Sequence, residues 1–338
     1  MGVSYFGSSL ATVVLVLGLV MAMGRVGESV PYGQAKKNPT GLQVGFYKGR
    51  CPNTTLDIQA FIEAEVASHF RSDATVLPAF LRLQFHDCFV KGCDASILIE
   101  GTTTEKVASA NNGVREYDFI DALKVKVEAK CPGIVSCADI IAIATKVVLK
   151  LGGGPDYGVQ TGRRDGTVSD ANDVNLPSPS LDVPQSFEFF KAKNFTLDEM
   201  VTLLGCHTVG IAHCRHFRTR LYNDSSDYDA NMDESLRQNL IQLCPQDRTV
   251  DNEVFLDQSG GIDKFDSSYY NQLALKRGLL PVDQALTRDP STNATVNSFV
   301  ANPASFNSKL ALVMVKLQAV EVLTGDKGNI RKVCSKFN

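Results

Sequence analysis

The chain has 338 residues, 44% hydrophobic and 21% charged, the balance of a soluble globular protein with a sizeable core. A net charge of −3, with no basic stripe in the sequence to neutralise phosphates, argues against nucleic acid as a partner. Histidines are few, at five, and cysteines are many, at nine, so chemistry and covalent architecture rest on a small set of positions.

Residues 10–23 form an apolar run of 14, short for a membrane span and suited to a signal-peptide core, although no Lys or Arg precedes it. Residues 1–24 are therefore expected to be a secretory signal, cut somewhere in 22–31. Residues 25–41 read as a polar, disordered leader and 42–338 as a single domain. Nothing later is long enough to span a bilayer, so no membrane partner is expected for the mature form. Export to an oxidising compartment makes disulfides the default. The cysteines are Cys51, Cys88, Cys93, Cys131, Cys137, Cys206, Cys214, Cys244 and Cys334; the odd number leaves at least one free or paired between chains. Any eight allow about 105 pairings, and only Cys88–Cys93 is favoured by proximity. Sequons at Asn53, Asn194, Asn223 and Asn293 suit the same compartment.

Order begins near Leu42. Apolar spacing predicts a helix from Leu56 to Arg71 and a second from about Ala74 to Asp87. Asp118–Glu128 follows, stopped by Cys131-Pro-Gly133. Ser136-Cys-Ala-Asp139 has the form of a helix start leading into Ile140–Leu151, and Gly152-Gly-Gly-Pro155 ends it. Residues 160–184 are rich in Gly, Asp and Pro and predict a long loop or short strand. Thr196-Leu-Asp-Glu199 is a capping box opening a helix Leu197–Cys206, with His207 at its end. Further helices are predicted at Asp233–Cys244, Asp266–Lys276, Thr292–Val300 and Pro303–Leu323. No repeat or linker divides the chain, and the fold class is all-α with few short strands.

Chemistry concentrates in Leu81–Ser96. Arg82 and His86, four apart, leave one face of a helix together, with Phe85 beside them as an apolar wall. Asp87, Asp94 and Ser96 then offer hard oxygen ligands suited to calcium. His207 admits three readings. It is a core residue, or a zinc ligand with Cys206, His213 and Cys214, or the axial ligand of a haem on whose other side His86 and Arg82 act on a peroxide. An axial histidine wants a carboxylate on its other nitrogen, and Asp283 is a candidate.

The run Arg82-Leu-Gln-Phe-His-Asp-Cys-Phe-Val-Lys-Gly-Cys-Asp-Ala-Ser96 closely resembles the distal signature of plant secretory (class III) haem peroxidases. Cys131–Ile140, Gly162–Asp165, Asn175–Pro179, Gly205–Thr208 and Val282–Gln284 resemble that family's later blocks in the same order, so the resemblance covers roughly residues 42–338. It implies two all-α lobes holding one haem b between them. It also implies a monomer that reduces H2O2 while oxidising small phenolic donors by one-electron steps.

Under this resemblance His86 is the distal acid–base, Arg82 the cation for the departing oxygen, and Asn111 the acceptor that orients His86. Phe85 lines the haem, His207 is its axial ligand, Asp283 supports His207, and Pro177 contacts the reducing substrate. Two Ca2+ sites are implied. The distal one takes Asp87, Asp94, Ser96, the Val90 and Gly92 carbonyls, and Glu105 through water; the proximal one takes Thr208, Asp257, Ser259 and Asp266. The implied disulfides are Cys51–Cys131, Cys88–Cys93, Cys137–Cys334 and Cys214–Cys244, leaving Cys206 as a buried, inert thiol. Departures are few. The Asp257–Asp266 stretch is one residue longer than usual, with Ser259-Gly-Gly261 in place of the usual Thr-Pro; Glu116 replaces a common Gly, and Tyr157 stands where a Trp is typical. The vacuolar extension of some relatives is missing, which implies export to the cell wall or apoplast.

Overall fold

The computed structural model describes residues 1–2 and 41–338 apart from 54, 223–227 and 262. The expected signal and leader, and the sequon at Asn223, fall largely or wholly outside the described residues. The first described element is β1 (Gln43–Val44), followed by α1 (Ile58–Ser72), α2 (Val76–Val90), α3 (Tyr117–Lys130), α4 (Cys137–Leu151) and β2 (Gln160–Thr161). Then come α5 (Val183–Ala192), α6 (Leu197–Leu204), β3 (Ile211–His213), α7 (Glu234–Leu243) and β4 (Glu253–Phe255). The remainder is α8 (Ser268–Ala274), α9 (Pro281–Arg288), α10 (Pro290–Ala301) and α11 (Pro303–Leu317). Two small antiparallel pairs complete it, with Gln43 opposite Thr161 and Ile211 opposite Phe255.

Local chemistry explains where the helices begin. The Asp57 carboxylate accepts from Ala60 N at 3.0 Å and starts α1, whose Ile58, Ile62 and Val66 form one buried stripe. Ser136 caps α4 through Asp139 N at 3.1 Å. Being apolar almost all round, α4 lies at the centre, packed against both α1 and α2. Each isoleucine or leucine it buries contributes roughly 1.5–3 kcal/mol.

Two helices were not legible as such. α5 begins inside the stretch predicted as loop; its signal was a capping box, Asp182 with Gln185, hidden among prolines and serines. α9, eight residues long and opened by Pro281, is too short to show a period. α6 also stops at Leu204, and a 3₁₀ turn over Gly205–Thr208 carries His207. Gly205 is required there, since a Cβ would sit 2.3 Å from the Tyr270 hydroxyl.

The main core draws on α1–α6 and α8–α11, while a smaller one gathers Ala212, Phe217, Leu236, Leu240 and Val254 with Leu279 and Leu280. Four disulfides join Cys51–Cys131, Cys88–Cys93, Cys137–Cys334 and Cys214–Cys244, the same pairs the resemblance implies. Cys137–Cys334 ties the start of α4 to a point 197 residues on. Behind β2, the buried pair Arg163–Asp139 meets at 2.7 Å, and Asp139 also accepts from Tyr47 Oη at 2.5 Å and Gly162 N at 2.6 Å. Those extra donors keep a buried charge pair from being a net loss. Among the described residues, no helix is long and apolar enough to cross a membrane.

Candidate active site

Arg82, Phe85 and His86 are only half-buried, although α2 is otherwise largely interior. His86 Nδ1 lies 2.7 Å from Asn111 Oδ1, while Asn111 Nδ2 donates to the Glu105 carbonyl at 2.7 Å. That second bond fixes the amide, so Oδ1 is the acceptor, Nδ1 carries the hydrogen, and Nε2 keeps its lone pair. Arg82 Nε donates to Nε2 at 3.4 Å, and its Nη2 donates to the Ala110 and Asn112 carbonyls at 3.1 and 3.0 Å. Burial, and then the Arg82 charge, pushes the His86 pKa down to about 4, so the ring is a neutral base at physiological pH. Phe85 stacks toward Phe89, with centroids 4.2 Å apart, and is held by Phe190.

In the last turn of α2 and in the loops that follow it, the carboxylates of Asp87, Asp94 and Glu105 are buried close enough to oppose one another's ionisation. Burial first, then Asp94 and Glu105, raises Asp87 well above the carboxylate range; burial raises Asp94 also. Glu105 is pushed up to about 7 by burial, with Asp94 adding to it. Asp87 Oδ1, Ser96 Oγ and both Glu105 carboxylate oxygens are buried without a hydrogen-bond partner. Orphaned oxygens and crowded acids fit a hard cation, which answers both deficits at once. Carboxylates alone do not close the shell, because among the described residues no three acidic, histidine or cysteine side chains converge as a metal site. The nest is tightly built: a Cβ on Gly166 would fall 2.1 Å from Asp94 Oδ2, and one on Gly92 2.5 Å from the Glu321 carbonyl. The Val90 carbonyl already accepts from Lys193 Nζ at 3.2 Å.

On the 3₁₀ turn after α6, His207 Nδ1 lies 2.8 Å from Asp283 Oδ1, which leaves Nε2 available to a ligand. The His207 side chain is 31% exposed while Asp283 behind it is 1% exposed, so the ring is partly accessible and its anchor is not. Burial opposes protonation of His207, but Asp283 outweighs it and the pKa is raised. Cys214 is bonded to Cys244, which removes it from any zinc set with His207. Pro177 sits half-buried in the loop before α5, beside Leu176, which packs on the core.

Thr208, next in sequence, reaches a second oxygen cluster. Its hydroxyl lies 3.2 Å from Asp257 Oδ2, 3.3 Å from Asp266 Oδ1 and 3.4 Å from Ser268 Oγ. Ser268 was not anticipated from sequence; it also donates to Asp257 Oδ2 at 2.5 Å and bonds Asp266. Ser259 instead donates to the other oxygen of Asp257, from Oγ at 2.6 Å and N at 2.7 Å, closing the turn. A nearby Asp-x-Ser at 266–268 was the available signal for Ser268, masked by the longer Asp257–Asp266 spacing.

Residues 62–302 match the family described as Peroxidase. The chain belongs to the peroxidase family. It is 42% identical to Peroxidase 57 of Arabidopsis thaliana over 299 residues, 88% of this chain and 93% of that one. With Peroxidase 62 of Arabidopsis thaliana it shares 40% over 333 residues, 98% of each, and with Peroxidase N1 of Nicotiana tabacum 41% over 307 residues, 88% and 91%. These are plant class III peroxidases, and this peroxidase is accordingly an oxidoreductase acting on a peroxide. Its largely helical architecture, with two small sheets among the described residues, is that of the haem peroxidases.

Proposed function

We propose that this peroxidase holds one haem b between His86 and His207, reduces H2O2, and oxidises small phenolic donors one electron at a time. The observation carrying this is the pair of imidazoles with opposite fittings. One is a neutral base held by an amide; the other is anchored to a buried carboxylate with its far nitrogen open. The half-exposed Phe85, Leu204 and His207, lying within otherwise buried elements, suit contact with a large flat apolar group.

A haem bound here would supply the redox-active iron for peroxide reduction and for electron exchange with donors. His207 Nε2 would hold it from one side, with Asp283 fixing the ring and drawing on Nδ1–H. On the other side, His86 Nε2 takes the proton of the incoming peroxide and returns it to the departing oxygen. Asn111 holds the ring for both transfers, and the Arg82 guanidinium, 3.4 Å from His86 Nε2, would stabilise negative charge developing on that oxygen. Donors would approach along the loop containing Pro177. Two Ca2+ ions fit the chemistry of the oxygen clusters at Asp87–Asp94–Ser96–Glu105 and at Thr208–Asp257–Asp266–Ser268, so each imidazole adjoins a cation nest in sequence. Four disulfides suit secretion to the cell wall or apoplast.

The test is a spectrum of the purified protein followed by turnover of H2O2 with a panel of small phenols. A Soret band and phenol oxidation that collapse in His86→Ala are expected. Absence of a Soret band, or full turnover in that variant, overturns the proposal.

A further inference from the structure

Asp283 Oδ1 does not serve His207 alone. Tyr269 Oη donates to the same oxygen at 2.8 Å, the distance of the His207 contact itself. The tyrosine is 2% exposed, and its ring meets the imidazole edge-on with centroids 6.3 Å apart. Its position is fixed from both directions along α8. Ser268 before it is bonded into the oxygen cluster with Asp257 and Asp266, and Tyr270 after it donates to the Val201 carbonyl at 3.0 Å. The phenol is thus held onto the carboxylate.

We infer that Tyr269 is a positioning residue that sets how strongly Asp283 pulls on the His207 Nδ1 proton, and through it the electron richness of the ring. A carboxylate oxygen accepting two hydrogen bonds divides its negative charge between them. Without the phenol, that charge falls on Nδ1–H alone and the imidazole becomes more anionic. With a stronger phenol donor, it becomes less so. An outer partner acting on a ligand's basicity in this way tunes the metal without touching it. The inference rests on His207 being the axial ligand of a haem, as proposed above.

The experiment uses the haem-loaded enzyme and reads two quantities other than activity: the iron–imidazole stretching frequency of the reduced form and the ferric/ferrous midpoint potential. Tyr269→Phe should raise the frequency and shift the potential to more negative values. Replacing Tyr269 by 3-fluorotyrosine, a stronger donor that keeps the ring and its packing, should move both the opposite way. Loss of packing alone gives no reversal of sign. Unchanged values in both proteins, or shifts in the same direction, overturn the inference. If Tyr269→Phe does not fold, the fluorotyrosine protein decides by itself. Failure of the wild-type protein to show a Soret band would instead defeat the haem reading, which keeps the two failures apart.

Discussion

Asn111 Oδ1 lies 2.7 Å from His86 Nδ1, across 25 positions of chain, and its own amide nitrogen is tied to the Glu105 carbonyl. The amide therefore cannot rotate to offer His86 a donor, and the imidazole is held in the tautomer whose Nε2 carries the lone pair, toward which Arg82 Nε points at 3.4 Å. Asn111→Ala should slow the reaction with H2O2 by about 10²-fold, the scale on which misplacing a catalytic group costs rate. Stopped-flow absorbance would measure it. Asn111→Asp, which keeps an acceptor, should lose less, and equal losses would contradict the orienting role.

The pH dependence of the same step follows from His86. With its pKa lowered to about 4 from the ordinary 6.5, the ring stays neutral through mildly acidic solution and loses basicity as pH falls through about 4. The rate with H2O2 should be flat down to about pH 5 and drop below it. Part of the lowering comes from Arg82, so Arg82→Leu should move the acid limb upward as well as slow the reaction while haem stays bound. A limb near 6.5 in the unaltered protein would mean that His86 is solvated.

Calcium removal should act on stability through Asp87, Asp94 and Glu105. Each has its folded pKa raised, so the metal-free folded chain binds protons more tightly than the unfolded one. Stability of that form therefore falls as pH rises, for Glu105 from the ordinary 4.5 to about 7. A bound cation removes the repulsion. The difference in Tm between calcium-loaded and chelated protein should be small near pH 5 and large near pH 8; a difference independent of pH would place the cation elsewhere. Gly166→Ala, which puts a methyl group 2.1 Å from Asp94 Oδ2, should lower calcium affinity in the same assay.

The cysteines divide into two kinds. Breaking Cys137–Cys334 with Cys137→Ala and Cys334→Ala frees a loop of 197 residues and should cost on the order of 5 kcal/mol in the chain-entropy account, measured by denaturant unfolding. Cys206 is free and only half-buried, not fully buried as expected, although the surrounding protein still pushes its thiol pKa up to about 12. A thiol reagent should find no reactive cysteine in the folded protein and one after denaturation. Labelling of the native chain would show that the half-buried thiol is reactive where it stands.

By itself the sequence determined the helical class, the cap residues that start α4 and α6, and the face shared by Arg82 and His86. All of these depend on neighbours a few positions apart, where residue type fixes geometry. It also carried the ordered motifs that mark the family. It did not reveal α5, α9 or the break at Leu204, because those depend on prolines and on the space Tyr270 leaves around Gly205. Nor did it reveal that Ser268 joins the Thr208 cluster, or that Tyr269 and His207 meet at one oxygen of Asp283. Those relations span 60 positions from Thr208 to Ser268, 14 from Tyr269 to Asp283 and 76 from His207 to Asp283. Only packing brings such distant groups together, since a hydrogen bond between them leaves no period or spacing in the chain.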